Sequence, residues 1–198
     1  MKAKPQASSR RVDVSSSTAG VRKGPLPSFI PPQLATLGDA APAGDAWLHE
    51  VKLDGYRLLA RIDGPRIKLM TRRGNDWTDK FEPLVRAFAK LKLRSAMLDG
   101  EIVHLSLDGT SSFGALQEDL SEEHPERLTY FLFDLLALDG YVLTGCKLED
   151  RKRALEQVIA RAPKGPLSYS DHVIGRGPGV LCVCLQGLAR GHCLQTKE

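Results

Sequence analysis

The run Glu50-Val51-Lys52-Leu53-Asp54-Gly55-Tyr56-Arg57 gathers a lysine, two carboxylates, a glycine and an arginine at the end of an apparent strand. That combination suits covalent attachment of a nucleotide to a lysine. A primary amine attacks phosphorus only when unprotonated, so such a lysine needs desolvation or neighbouring cations to lower its pKa. Arg57 and a metal-bound triphosphate would position that chemistry, Asp54 would hold the lysine or a metal ion, and Gly55 would let the backbone pass close to the ligand. Glu50 stands two residues before Lys52, which puts both side chains on one face of a strand. Taken alone, Lys-x-Asp-Gly-x-Arg also reads as a solvated turn, because Asp-Gly is a common hairpin dipeptide.

The elements that must hold these groups read as strands first. Residues 26 to 46 are rich in Pro, Ala and Gly and suit an extended lead-in. Beyond them, Asp63-Gly64 separates the run Tyr56 to Ile62 from Ile67 to Thr71, Asp108-Gly109 follows Glu101 to Leu107, and Asp139-Gly140 follows Tyr130 to Leu138. Each pair fits an antiparallel connection. Two segments read as helices. In Lys80 to Leu93 the residues Leu84, Val85, Phe88 and Leu91 fall on one face, Thr78 or Asp79 can cap the start, and Pro83 fits the first turn. In Asp150 to Arg161 the apolar set is Ala154, Leu155, Val158 and Ile159, with Asp150 as cap and Pro163 as stop. Helices on antiparallel sheet make an α+β domain.

A chain of 198 residues with 42% hydrophobic content can bury one core plus a tail. No run reaches the roughly 18 apolar residues that span a bilayer, and Met1 to Gly20 is polar and serine-rich, so an intracellular protein is expected. The net charge of +4 sits in residues 1 to 25, which carry +5 and leave −1 for the remainder. This segment reads as a disordered basic tail, either a nucleic-acid backbone contact without sequence preference or a solvated linker. The four cysteines, Cys146, Cys182, Cys184 and Cys193, include no Cys-x-x-Cys pair. A zinc cluster of Cys182, Cys184, His192 and Cys193 is disfavoured because zinc loops space their ligands more widely. Gly175-Arg176-Gly177-Pro178-Gly179 reads as a surface loop, since Pro178 removes an amide donor that a phosphate cradle would need.

Three further segments follow the lysine run in order: Thr71-Arg72-Arg73-Gly74-Asn75-Asp76-Trp77-Thr78, Leu98-Asp99-Gly100-Glu101-Ile102-Val103, and Tyr130-Phe131-Leu132-Phe133-Asp134-Leu135-Leu136. Together they resemble successive motifs of ATP-dependent DNA ligases, in particular the adenylation domain of bacterial non-homologous end-joining ligases. The lead-in Pro31 to Leu37 and Trp47-Leu48-His49-Glu50 fit the same pattern, and the likeness covers about residues 26 to 188. The resemblance implies a covalent nucleotidyltransferase fold, ATP-grasp-like, of antiparallel sheets flanked by helices. It also implies that Lys52 attacks the α-phosphate of ATP, expels pyrophosphate and carries AMP. The adenylate would pass to a DNA 5′-phosphate, and a 3′-hydroxyl would then seal the break. By the same resemblance Glu50 accepts a hydrogen bond from the adenine amine, and Arg57 and Arg72 hold ribose and phosphates. Phe133 stacks on adenine, Glu101 contacts the ribose or a catalytic metal, and Asp99 is turn-forming. The cofactors implied are ATP and Mg²⁺ or Mn²⁺. The partners implied are nicked or broken duplex DNA and end-joining proteins, for a monomer in the bacterial cytoplasm at the nucleoid. Lys-x-Asp-Gly is shared with RNA ligases and capping enzymes, which keeps RNA open as the acceptor.

After Leu188 the chain departs from the family. Residues 189–198 match nothing in it, where members continue with Glu-Gly-Ile-Val-Ser-Lys, a later lysine pair and an oligonucleotide-binding barrel. Ala189 to Thr196 can be encoded so that the next reading frame spells Leu-Glu-Gly-Ile-Val-Ser-Lys-Arg. The expectation is a partial adenylation domain with a frameshift near Leu188 and Ala189, poor at sealing nicks. A non-catalytic remnant that binds nucleotide or DNA weakly is the alternative.

Overall fold

The computed structural model describes residue 14, residues 18–34, residue 42 and residues 44–175, together with the backbone of 192–196. In chain order the elements are β1 (Arg22–Lys23), β2 (Gly44–Val51), β3 (Tyr56–Asp63), β4 (Arg66–Thr71), α1 (Glu82–Lys90), β5 (Ser95–His104), α2 (Phe113–Ser121), β6 (Leu128–Leu138), β7 (Tyr141–Val142), α3 (Leu148–Ile159), β8 (Leu167–Tyr169), β9 (His172–Gly175) and β10 (His192–Thr196). Among the described residues, one sheet runs β1-β7-β6-β5-β3-β4 with β8 beside β6, and a second runs β10-β2-β9. Every pairing is antiparallel except β6 with β8. The α+β architecture of antiparallel sheets flanked by helices is as the patterning indicates.

Alternation along β3 decides which face of the large sheet holds the core. Leu58, Ala60 and Ile62 point to the helix side, where they pack with Leu98, Tyr130, Leu132, with Leu84 and Phe88 of α1, and with Leu155 and Val158 of α3. Leu59 points the other way, into a smaller cluster with Met70, Met97, Leu136 and Ala137. Leu26, Phe29 and Ile30 of the lead-in cover that cluster. The lead-in is therefore a lid on one end of the second face, and the rest of that face carries polar groups.

The Asp-Gly connections hold. Asp139 and Gly140 both take positive φ, 47° and 92°, the signature of a type I′ hairpin between β6 and β7. The helices begin elsewhere than expected. Thr78 and Asp79 lie in a separate 3₁₀ turn, Thr78–Phe81, and α1 starts behind Phe81 with Pro83 in its first turn. The third helix starts at Leu148 behind Lys147, so Asp150 lies inside it rather than capping it. The sequence reading also missed α2, which Ser112 caps by accepting from Ala115 N at 3.3 Å.

The boundary at residue 25 is corrected. Arg22–Lys23 pair with Tyr141–Val142, Val14 and Val21 pack on the core, and a side chain on Gly20 would meet Gly145 O at 1.8 Å. Apolar Val14 and Val21 within the basic stretch supply the contact that its overall composition conceals. Residues 1–13, most of the Gly175–Gly179 loop, Cys182 and Cys184 lie outside the described residues. The backbone of β10 lies along β2, with Cys193 opposite Glu50.

Candidate active site

The polar half of the second face is built on β3, β5 and β6. Register sets Arg57 opposite Glu101 and Leu59 opposite Asp99, so alternation sends Arg57, Asp99 and Glu101 to the same side. Arg57 grips Asp99 with two hydrogen bonds, Nε to Oδ1 at 3.1 Å and Nη2 to Oδ2 at 2.7 Å, while its Nη1 donates to Gln33 O of the lead-in at 2.7 Å. Its guanidinium also lies 5.1 Å from the centre of the Phe133 ring. Asp99, expected to form a turn, is instead a buried mid-strand residue committed to this pair. An Asp-Gly pair usually signals a turn, but Gly100 serves a different purpose. A Cβ there would stand 2.3 Å from Phe131 O and 2.6 Å from the Tyr130 ring.

A bulge in β6 gives the site two groups where a regular strand would give one. Gly100 pairs with Leu132 and Asp99 with Asp134, which leaves Phe133 as the extra residue. Leu132 and Leu135 both enter the main core, and the two residues between them turn out of it. Phe133 meets Arg57, and Asp134 takes both Nε and Nη2 of Arg151 from α3 at 2.8 and 2.9 Å.

Glu50 lies near the end of β2 and is buried with Lys152 of α3, whose side chain has no exposure at all. Lys152 Nζ donates to Glu50 Oε1 at 2.5 Å, to Ser170 O at 3.1 Å and to Phe133 O at 3.3 Å. Those acceptors satisfy all three ammonium protons. The Tyr169 ring caps the same charge at 5.0 Å. Burial pushes the Glu50 carboxyl up, and Lys152 pulls it back by charge and by hydrogen bond.

Lys52 is exposed in the short loop that joins β2 to β3. Two contacts fix that loop. Asp54 N donates to Ser111 Oγ at 3.0 Å, and Gly55 passes so close to β5 that a Cβ would meet Ile102 O at 2.0 Å. The Gly55 N–H lies close enough to the Glu101 carboxylate to pull its pKa down, which puts Glu101 beside the lysine loop. Burial pushes the Glu101 carboxyl up to about 7, against the opposing pull of Arg57's charge and the Gly55 N–H.

Glu101, Arg57 and Phe133 are thus brought onto one face with the Lys52 loop at its edge, and Glu50 enters from β2. Among the described residues no contact draws Arg72 in: it is exposed in the turn after β4. Sequence reasoning missed Lys152 and Arg151. Lys152 sits inside the apolar stripe of α3, between Leu148 and Leu155, and that misplaced charge was the available signal. Among the described residues no three His, Cys, Asp or Glu side chains converge as a metal cluster. A magnesium ion held mainly by substrate phosphates and water needs only one or two protein carboxylates, which Glu101 fits.

Antiparallel sheets that present a tethered lysine loop beside a buried acid, next to arginine–acid pairs, form a nucleotidyltransferase domain of the DNA ligase kind. The family model described as the ATP dependent DNA ligase domain matches residues 32–175, and the chain belongs to that family. Among curated proteins it is 41% identical over 148 residues to the multifunctional non-homologous end joining protein LigD of Pseudomonas aeruginosa, covering 75% of this chain and 18% of the relative. It is 34% identical over 158 residues to the protein of the same name from Mycolicibacterium smegmatis, covering 79% of this chain and 20% of the relative. Of solved structures, the ligase domain of M. tuberculosis LigD superposes with a TM-score of 0.66 at 31% identity, over 78% of this chain and 49% of that one. A mycobacterial DNA ligase D complexed with ATP and MES gives 0.69 at 29% identity, over 83% and 53%. The chain therefore spans about a fifth of the curated relatives and about half of the solved ligase chains. No described helix is long and apolar enough to cross a membrane.

Proposed function

We propose that this chain captures adenylate from ATP on Lys52, the opening step of DNA strand joining. The observation that carries the reading is the stapled lysine loop beside Glu101, on the face that Arg57 and Phe133 share. The Lys52 nitrogen bonds to the α-phosphorus, the bond from that phosphorus to pyrophosphate breaks, and the amine gives up its proton. Lys52 itself is exposed, so the nucleotide supplies the desolvation that frees the amine. Glu50 accepts from the adenine amine, and Phe133 stacks on the base with the face that Arg57 does not cover. Arg57 and Arg72 hold ribose and phosphates. Glu101 would hold Mg²⁺ or Mn²⁺ or the ribose; the metal, when bound, neutralises phosphate charge.

Transfer of the adenylate to the 5′-phosphate of nicked or broken duplex DNA, and sealing by the 3′-hydroxyl, follow as the repair role. The setting is the bacterial cytoplasm at the nucleoid, alongside end-joining proteins, with the chain as a monomer. Lys52's exposure favours a second reading, in which nucleotide binds without transfer. Incubation with α-labelled ATP and Mg²⁺ separates them. Label that survives denaturation and disappears in Lys52→Ala supports adenylation, and absence of covalent label on the wild-type chain overturns it.

A further inference from the structure

Three acids at the site are each matched to a cation on an element other than their own: Asp99 to Arg57 of β3, and Asp134 and Glu50 to the neighbouring Arg151 and Lys152 of α3. The third pair differs from the others. Its cation is fully buried, it is a lysine rather than a forked guanidinium, and it holds the one acid that borders the lysine loop in sequence. A buried ammonium is costly unless its charge and all its protons are met, and here Glu50, Ser170 O and Phe133 O meet them. The same ammonium thus ties the strand that carries Glu50 to the bulge that carries Phe133.

We propose that Lys152 is a positioning residue that sets the base selectivity of the nucleotide pocket. By holding Glu50 as a pure hydrogen-bond acceptor, it favours a purine that offers an amine over one that offers a carbonyl. This rests on the adenylate-capture reading above. An ionised carboxylate accepts only, so it bonds the adenine amine and repels the carbonyl oxygen of guanine; a protonated one can donate to that oxygen. Around the pair the titratable groups are Asp134, which pushes the Glu50 carboxyl up, then Tyr169 over the ammonium and His172 bonded to the Tyr169 hydroxyl at 3.1 Å, with Glu156 acting on Tyr169. Among the cations, Lys152 opposes the burial of Glu50 most strongly.

Equilibrium binding of ATP and GTP to the wild-type chain, Lys152→Met and Lys152→Arg tests this, read beside infrared spectra of the carboxyl region at neutral pH. Wild type should prefer ATP. Lys152→Met should weaken ATP by about tenfold, the loss of one charge-assisted hydrogen bond, and narrow the gap to GTP. It should also show a protonated-carboxyl band that Glu50→Gln removes. Lys152→Arg should restore part of the preference and abolish the band. The double variant Glu50→Gln/Lys152→Met removes both charges together and keeps the test alive if Lys152→Met does not fold; it too should discriminate poorly. Lys152→Met or the double variant retaining the wild-type ATP preference overturns the proposal. A wild-type chain that binds neither nucleotide overturns it together with the adenylate reading, and that result is recognisable because it appears before any substitution.

Discussion

Raising the pH should destabilise the ligand-free protein through Glu101, and Glu101→Gln should remove that share of the loss. The ordinary carboxyl value is 4.5, and burial beside the lysine loop pushes the folded value up to about 7. Below the lower value both folded and unfolded chains hold the proton, so the contribution to stability is fully present. Between the two values the unfolded chain releases its proton while the folded chain keeps it, and stability falls as the pH rises. Above the upper value the folded chain carries the charge in its half-buried site and the loss is complete. The gap corresponds to at most about 3 kcal/mol, and partial contact with solvent brings this to about 2 kcal/mol. Urea unfolding in metal-free buffer at about pH 5 and about pH 8 measures it. The wild type should lose about 2 kcal/mol more than Glu101→Gln. Equal losses would refute the assignment of a buried, protonated carboxyl to Glu101.

Gly100→Ala should cost about 3 kcal/mol or more, because its Cβ would stand 2.3 Å from Phe131 O and neither strand can yield; thermal unfolding checks this. Asp99→Ala should cost about 2–4 kcal/mol in urea unfolding, since it leaves the partly buried Arg57 without its bidentate partner. Among the described residues, His49 Nε2 is buried with no hydrogen-bond partner, so His49→Phe should raise the melting temperature by the equivalent of about 1 kcal/mol. A fall in melting temperature would show that this nitrogen is satisfied.

The large sheet was legible because its strands are apolar runs punctuated by Asp-Gly turn signals. The lysine loop was legible because reactive residue types cluster in sequence. What could not be read was whatever depends on contacts distant in sequence. Asp99-Gly100 has the composition of a turn, yet the glycine serves a close approach of β5 to β6 and the aspartate serves Arg57, 42 residues earlier. Phe131 and Phe133 both suit a core strand by periodicity, and only the placement of Tyr130 and Leu132 in the main core shows that both phenylalanines turn out of it, with the bulge adding Asp134 beside Phe133. Lys152 lies 102 residues from Glu50. Its helix was recognised by apolar spacing, and a lysine on that face reads as an irregularity until the acid it neutralises is known. The start of α1 went astray because Thr78 bonds Leu69 N and Asp76 instead of the helix end.

On the proposed adenylate-capture reading, the arrangement of charge leaves the exposed Lys52 free to react. Glu50 is the acid nearest to Lys52 along β2, and a direct pair between them would have to be broken before a nucleotide could approach. Lys152 occupies Glu50 instead, Arg57 occupies Asp99, and Arg151 occupies Asp134. Asp54 points its backbone N–H at Ser111, which anchors the loop without engaging the amine. Among the described residues Lys52 therefore stands at the rim of the pocket outside any ion pair. The positive charge of the paired cations still lies close by, where a triphosphate arriving with its own negative charge would be drawn toward it. Three acids of the site are thus committed to other cations, which leaves the Lys52 amine uncommitted.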